Sequence, residues 1–176
     1  MAAERYRFEP LADDHRRADF SCGVGALDHY FREQAGQDLR RRLAVPYVLL
    51  DSETGTVAGY YTLSSASMLP HSLPEHLLRR LPRYSSFPVT LIGRLAVDLR
   101  YRDQSLGERL LLDALRHCLD ASREVAAMAV VVDAKDDAAR AFYERYGFER
   151  FADHEYRLFL RMTTVAQLTS GRGATG

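Results

Sequence analysis

The stretch from Val89 to Leu112, VTLIGRLAVDLRYRDQSLGERLLL, most constrains what this chain can fold into. Val89, Leu91, Ile92, Leu95 and Val97 favour a buried strand. Asp98 to Gln104 is polar and ends that run. Ser105-Leu-Gly-Glu108 reads as a capping box, in which the Ser105 hydroxyl accepts from a first-turn N–H and Glu108 reaches back. Leu106, Leu110, Leu111, Leu115 and Cys118 then recur on one helical face. A strand feeding a helix N-terminus leaves several unpaired N–H groups aimed at one spot, and the helix dipole reinforces them. Such a spot suits an anion, most naturally phosphate. The same pattern also describes an ordinary strand–turn–helix of an α/β domain. Neither G-x-G-x-x-G nor G-K-[ST] occurs in the chain.

The flanking segments supply more strands and helices. Arg5 to Leu11 alternates loosely, as a first strand does. A helix is predicted from about Val24 to Arg42, capped by Ser21, with Leu27, Tyr30, Phe31, Ala35 and Leu39 inward. Its last residues, Arg40 to Arg42, put cations where the dipole favours them. Val45–Leu50 and Thr56–Ser65 form a hairpin across the turn Asp51–Gly55. Pro74, Pro82 and Pro88 mark an irregular surface segment with a short helix around Glu75 to Leu81. Val125 to Val132 is nearly continuous in apolar residues, which suits a strand buried on both faces of a parallel pair. Asp136 and Asp137 open another helix whose inner side is Ala138, Ala141, Phe142 and Tyr146, with Gly147 as its stop. Phe148 to Met162 ends the fold as a strand or hairpin, and 167–176 is expected to be a disordered tail. The whole is expected to be one α/β (α+β) domain over residues 1–166, with a mixed central sheet flanked by helices.

At 176 residues, 47% hydrophobic and 27% charged, the chain can bury a full core. No apolar run approaches the roughly 20 residues of a membrane span, and MAAERYRFEP lacks an apolar signal core. Cys22 and Cys118 make neither a disulfide framework nor a metal quartet; both are expected to be buried thiols in a reducing cytoplasm. His15, His29, His71, His76, His117 and His154 are scattered without metal-ligand spacing, so no metal is expected, and there is no G-x-S-x-G elbow. A formal net charge of zero counts against a simple nucleic-acid binder. The basic residues are nonetheless clustered, and all but Lys135 are arginine. Arg40, Arg41 and Arg42 are consecutive, and Arg79, Arg80, Arg83 and Arg94 follow one another with no acid between them. Charge runs of this kind are also what solvated faces look like.

Two motifs bring a family resemblance. Arg102-x-x-Ser105-x-Gly107 resembles the [RQ]-x-x-G-x-[GA] pyrophosphate loop of the GNAT acyl-CoA N-acetyltransferases, with Ser105 where that loop usually has its first glycine. Ala139-x-x-Phe142-Tyr143-x-x-x-Gly147-Phe148 resembles the closing motif A-x-x-F-Y-x-x-x-G-F of the same family, in the right order and with a helix and a strand between. The resemblance implies the GNAT fold, with two splayed parallel strands and acetyl-CoA as co-substrate. It assigns the backbone of Leu95, Ala96 and Val97 to the pantetheine amides and the loop Arg102, Asp103, Gln104, Ser105, Leu106 and Gly107 to the pyrophosphate, with Ala139 and Phe142 completing the cofactor contacts. It makes Tyr143 the donor to the leaving thiolate; read without the motif, Tyr143 is a core aromatic.

Phe20-x-Cys22-Gly23-x-x-x-Leu27-Asp28, Val57-Ala-Gly59-Tyr-Tyr-Thr62-Leu-Ser64, Gly93-Arg-Leu-Ala-Val-Asp98 and Val132-Asp-Ala-Lys135 further resemble the toxin-type GNATs of bacterial toxin–antitoxin modules. That resemblance implies acetylation of the α-amino group of aminoacyl-tRNA, a ribbon-helix-helix antitoxin as partner, and a homodimer. An α-amino group, with a pKa of about 7.7 to 8.0, is partly neutral at pH 7, whereas a lysine amine at about 10.4 is not, so such a substrate needs little general base. Asp98 is the nearest candidate carboxylate, and as a strand-end residue it is equally a cap or ion-pair partner. On this reading Arg40, Arg41, Arg42, Arg79, Arg80, Arg83 and Arg94 contact tRNA. The competing readings are a GNAT acting on a small amine or protein N-terminus, and a non-catalytic acyl-CoA-binding module.

Overall fold

The computed structural model describes residues 4–171. Seven strands, β1 (Tyr6–Pro10), β2 (Val45–Asp51), β3 (Thr56–Met68), β4 (Phe87–Val97), β5 (Ala129–Asp133), β6 (Glu149–Phe151) and β7 (His154–Arg161), form one mixed sheet in the order β1-β2-β3-β4-β5-β7-β6. β4 and β5 are registered in parallel, from Val89↔Ala129 to Ile92↔Val132, and β4 runs on to Val97 beyond its last pair with β5. The helices are α1 (Gly25–His29), α2 (Ala35–Arg40), α3 (Glu75–Leu78), α4 (Leu106–Ser122), α5 (Asp137–Glu144) and α6 (Met162–Gly171). The described residues divide into two compact units: the chain up to Ser64 with Gly93–Ala114, and Ser65–Ile92 with everything from Leu115 on.

In the first unit, Phe20, Phe31, Val48, Val57, Tyr60 and Ala96 belong to one buried cluster. Each large side chain there contributes on the order of 2 kcal/mol through burial. The predicted helix over 24–42 is present, but a π turn at Tyr30–Gln34 separates α1 from α2. The wider turn lets the adjacent Tyr30 and Phe31 both face inward. Ser21 is not its cap: Val24 holds that position, and the Ser21 hydroxyl donates instead to Asp28 at 3.2 Å. Asp28 also accepts the Cys22 N–H at 2.7 Å, so the first turn holds its own lead-in. β3 passes so close to its neighbours that a Cβ at Gly59 would lie 2.8 Å from Leu110 Cδ1 and 2.9 Å from the Ala96 carbonyl oxygen.

In the second unit, Met68, Leu77, Phe87, Val89, Val131, Phe151 and Phe159 form the core. Three expectations are corrected there, and a fourth in the first unit. The apolar run from Val125 enters the sheet only at Ala129, and Val125 itself is 79% exposed because it lies in the turn after α4. Ala138 and Ala141 point outward; Phe142, Tyr143 and Tyr146 turn inward, with Tyr143 deepest. Residues 167–171, expected in a disordered tail, continue α6, whose Val165 is fully buried; 172–176 lie outside the described residues. Of the two thiols, Cys118 is buried and its pKa is pushed up to about 12 by desolvation, whereas Cys22, in the first unit, is only half-buried.

Candidate active site

The end of β4 and the start of α4, in the first unit, carry the residues that the sequence resemblance assigns to the cofactor. Strand alternation turns Ala96 into the core and leaves Leu95 and Val97 half-buried on the other face. Asp98 ends the strand and caps the following turn, Leu99–Tyr101. Its carboxylate accepts from the Arg100 N–H, Nε and Nη2, each at 2.9 Å, and from the Ser21 N–H at 3.1 Å. Burial pushes its pKa up, but these donors outweigh burial and hold it below the ordinary carboxylate range. Saturated in this way, Asp98 is a structural anion and no base.

The loop then runs Arg102 to Ser105, exposed throughout, into α4. Asp103 and Ser105 both adopt left-handed conformations, φ +63° and +56°. Ser105, at the position where the family loop usually has glycine, therefore takes an angle that glycine adopts freely. That angle corrects the capping-box expectation. An N-cap residue is extended, and among the described residues the Ser105 hydroxyl has no hydrogen-bond partner. Among the described residues, the backbone N–H groups of Ser105, Leu106 and Gly107 donate to no carbonyl; the first helical bond is Arg109 N–H to Ser105 O at 3.4 Å. Unpaired donors at the N-terminus of a seventeen-residue helix fit a pyrophosphate.

A network invisible in the sequence supports this loop. The Tyr6 hydroxyl donates to Gln104 Oε1, and the Tyr6 ring stands edge-on to Tyr101 at 6.2 Å. Tyr101 donates to Asp51 at 2.7 Å, and Arg5 grips the same carboxylate at 3.1 and 3.3 Å. Asp51 is fully buried; the Arg5 guanidinium, with the Tyr101 hydroxyl and the Glu53 N–H, overcomes burial and lowers its pKa to about 2. Residues separated by tens of positions on different elements share no spacing signal, which is why they were not found.

In the second unit, α5 presents Tyr143. Asp136 caps the helix by accepting the Ala139 N–H at 2.8 Å. Gly147, at φ +94°, closes it: its N–H bonds Glu144 O at 3.0 Å and the Phe148 N–H bonds Tyr143 O at 3.3 Å. This is a Schellman closure. It brings the Phe148 ring to 5.5 Å from that of Tyr143, with Phe142 at 5.3 Å on another side. The glycine and phenylalanine of the closing motif thus hold the tyrosine ring. Six tyrosines are buried, and five donate their hydroxyls: Tyr6 to Gln104, Tyr30 to Asp38, Tyr60 to the Leu27 carbonyl, Tyr61 to Asp113 and Tyr101 to Asp51. Tyr143 is the exception among the described residues. Among the described residues no fully buried polar side-chain atom lacks a partner, so the Tyr143 hydroxyl reaches solvent from a side chain that is otherwise buried. Burial, with the Asp133 carboxylate nearby, pushes its pKa up and keeps the hydroxyl protonated.

The arginines differ in their surroundings. Arg40, Arg41 and Arg42 are exposed; Arg42, at φ +59°, ends α2. Arg94 is half-buried with its guanidinium 3.4 Å over the Tyr30 ring. In the second unit, Arg79 pairs with Glu75 at 2.8 Å across one turn of helix, and Arg80 and Arg83 are exposed.

Residues 9–148 match the acetyltransferase (GNAT) family. The chain is 33% identical over 158 residues to a tRNA-acetylating toxin of Mycobacterium tuberculosis, covering 90% of this chain and 93% of that one. It is 30% identical over 175 residues to a probable toxin TacT of Sinorhizobium fredii, covering 95% and 96%. A solved structure of AtaT complexed with acetyl-methionyl-tRNAfMet superposes with a TM-score of 0.85 at 27% identity, covering 93% of this chain and 98% of that one. A tyrosine-to-phenylalanine mutant of AtaT bound to the C-terminus of the antitoxin AtaR and acetyl-CoA gives 0.78 at 25% identity, covering 94% and 98%. With a family match over most of its length and a relative one-third identical, the chain belongs to the GNAT acetyltransferase family.

Proposed function

We propose that this acetyltransferase transfers the acetyl group of acetyl-CoA to the α-amino group of an aminoacyl-tRNA, and that it acts as a translation-blocking toxin. The neutral amine attacks the thioester carbonyl. The tetrahedral intermediate collapses with cleavage of the C–S bond, the nitrogen loses a proton, and the thiolate gains one, giving an amide and free CoA. The pyrophosphate is held by the N–H groups of Ser105 to Gly107, the pantetheine by the backbone of Leu95 to Val97, and Ala139 and Phe142 complete the contacts. The Tyr143 hydroxyl donates to the departing thiolate. Its raised pKa suits this role, because the group remains a donor across the neutral range. The observation that carries the assignment is that Tyr143 alone, among the buried tyrosines, has no partner for its hydroxyl.

With Asp98 saturated by four donors, the site offers no evident strong base, which favours an amine already neutral near pH 7. The toxins that this chain resembles take such a substrate. The same reading includes tRNA contacts by Arg40 to Arg42, Arg79, Arg80, Arg83 and Arg94, neutralisation by a ribbon-helix-helix antitoxin, a homodimer and a cytoplasmic site of action. The test is incubation with labelled acetyl-CoA and total charged tRNA, comparing the native chain with Tyr143→Phe. Acetylated aminoacyl-tRNA is expected. The variant should lose roughly 100-fold or more in turnover, with acetyl-CoA affinity nearly unchanged. Equal turnover in both proteins would remove Tyr143 from this role, and acetylation of small amines alone would remove the tRNA.

A further inference from the structure

We propose that Arg17 and Arg40 form a phosphate site over Gly36, and that it takes one backbone phosphodiester of the acceptor RNA; the second half of this statement rests on the tRNA reading above. Gly36 and Arg40 are one helical turn apart on α2 and so share a face. Arg17 arrives from the loop after β1. A Cβ at Gly36 would lie 3.2 Å from Arg17 Nη1, 3.4 Å from Arg17 Nη2 and 3.4 Å from Arg40 Nη1. Both guanidiniums therefore meet over bare backbone that no side chain covers, no farther apart than the sum of two such distances. They line a cavity of about 320 Å³ together with Leu11, Ala12, Asp13 and Leu39.

Neither guanidinium is paired at this point. Arg5, Arg100, Arg140 and Arg157 each lie within 3.1 Å of a carboxylate oxygen. Among the described residues, neither Arg17 nor Arg40 makes an ion pair, and the one hydrogen bond of Arg17 is a long 3.4 Å contact from Nη1 to the Phe31 carbonyl. Two cations held this close repel unless an anion lies between them. Two guanidinium forks approaching from separate elements can engage several oxygens of a tetrahedral oxyanion at once, whereas a lone carboxylate fills one fork. Asp13, which also lines the cavity, works against a dianion and leaves the singly charged phosphodiester as the better ligand. Arg41 and Arg42 follow directly on the chain, both exposed, so neighbouring phosphates of the same strand have cations to meet.

The test uses the full chain, uncharged tRNA and two small probes. In a titration across a salt series, Arg17→Ala should weaken tRNA binding several-fold. It should also reduce the slope of log K against log salt by about one, the effect of one lost phosphate contact. Gly36→Glu keeps both arginines but inserts an internal carboxylate between them. It should lose the same affinity while its melting temperature stays level or rises. Separately, dimethyl phosphate should shift the side-chain nitrogen resonances of Arg17 and Arg40, and more strongly than inorganic phosphate at equal concentration. Native tRNA binding with both variants unaffected overturns the site. Resonance shifts without any native tRNA binding keep the phosphate site and overturn the RNA as its source. Absence of both overturns the proposal entirely.

Discussion

Two buried carboxylates, Asp51 and Asp98, do structural work through the donors around them, and Asp51 makes the acid stability of the fold predictable. Its native pKa of about 2 lies below the ordinary 3.8, so its stabilisation is present above pH 4 and is lost as pH falls from about 4 to about 2. The contribution is on the order of 2 kcal/mol. Asp51→Asn should lower the urea midpoint at pH 7 and flatten its pH dependence between 4 and 2, read by circular dichroism. A variant that keeps the native acid profile would place the titration elsewhere. At this scale, legibility followed the motifs. Tyr143 is named by its spacing from Ala139 and Gly147, whereas Tyr6, Arg17 and Asp51 carry no local signal because their partners lie on other elements. Asp98 was visible, but only its four donors decide that it is not a base.

At the scale of elements, two short turns shape the candidate site. The loop into α4 needs a left-handed residue at position 105, and serine occupies that angle at a cost of about 1 kcal/mol. Ser105→Gly should change stability by less than about 1 kcal/mol, since relief of strain is offset by the freedom of glycine in the unfolded chain. It should leave acetyl-CoA affinity within about 3-fold. Ser105→Val, β-branched and poorly suited to φ +56°, should weaken acetyl-CoA binding by about 10-fold or more. Calorimetry on the three proteins checks the order, and equal affinities would show that the loop angle is irrelevant. The Schellman closure of α5 is as specific. Gly147→Ala meets no close atom, the nearest being Leu160 Cδ1 at 3.7 Å, so its penalty is backbone strain of about 1–2 kcal/mol. It should also lower turnover by loosening Phe148 from Tyr143; a variant with lowered stability and full activity would separate the clamp from catalysis. Helix existence was legible from periodicity, but phase was not. The π turn at Tyr30–Gln34 and the inward rotation of Tyr143 are set by what packs against each helix.

For the whole molecule, each compact unit is assembled from separated stretches of chain. In the first, Ala96 joins Val48 and Tyr60 in one core, and Leu110 seats against Gly59. A fragment of residues 1–64 lacks both partners and should show no cooperative urea transition, whereas the full chain should; a sharp transition in the fragment would mean that its core closes without them. The chain by itself determined the strand of the parallel pair, the strand–turn–helix into α4 and the helix that carries Tyr143, because each is written in contiguous residues whose spacing matches helix or strand geometry; the family followed from the resemblance of two motifs, Arg102–Gly107 and Ala139–Phe148. Tertiary structure alone decided the rest. It saturated Asp98, aimed Gln104 through Tyr6, left the Tyr143 hydroxyl without a partner, and drew Arg17 to Arg40 over Gly36. Those outcomes depend on distances between residues far apart in the chain, and local pattern carries no information about such distances until the sheet brings its strands together.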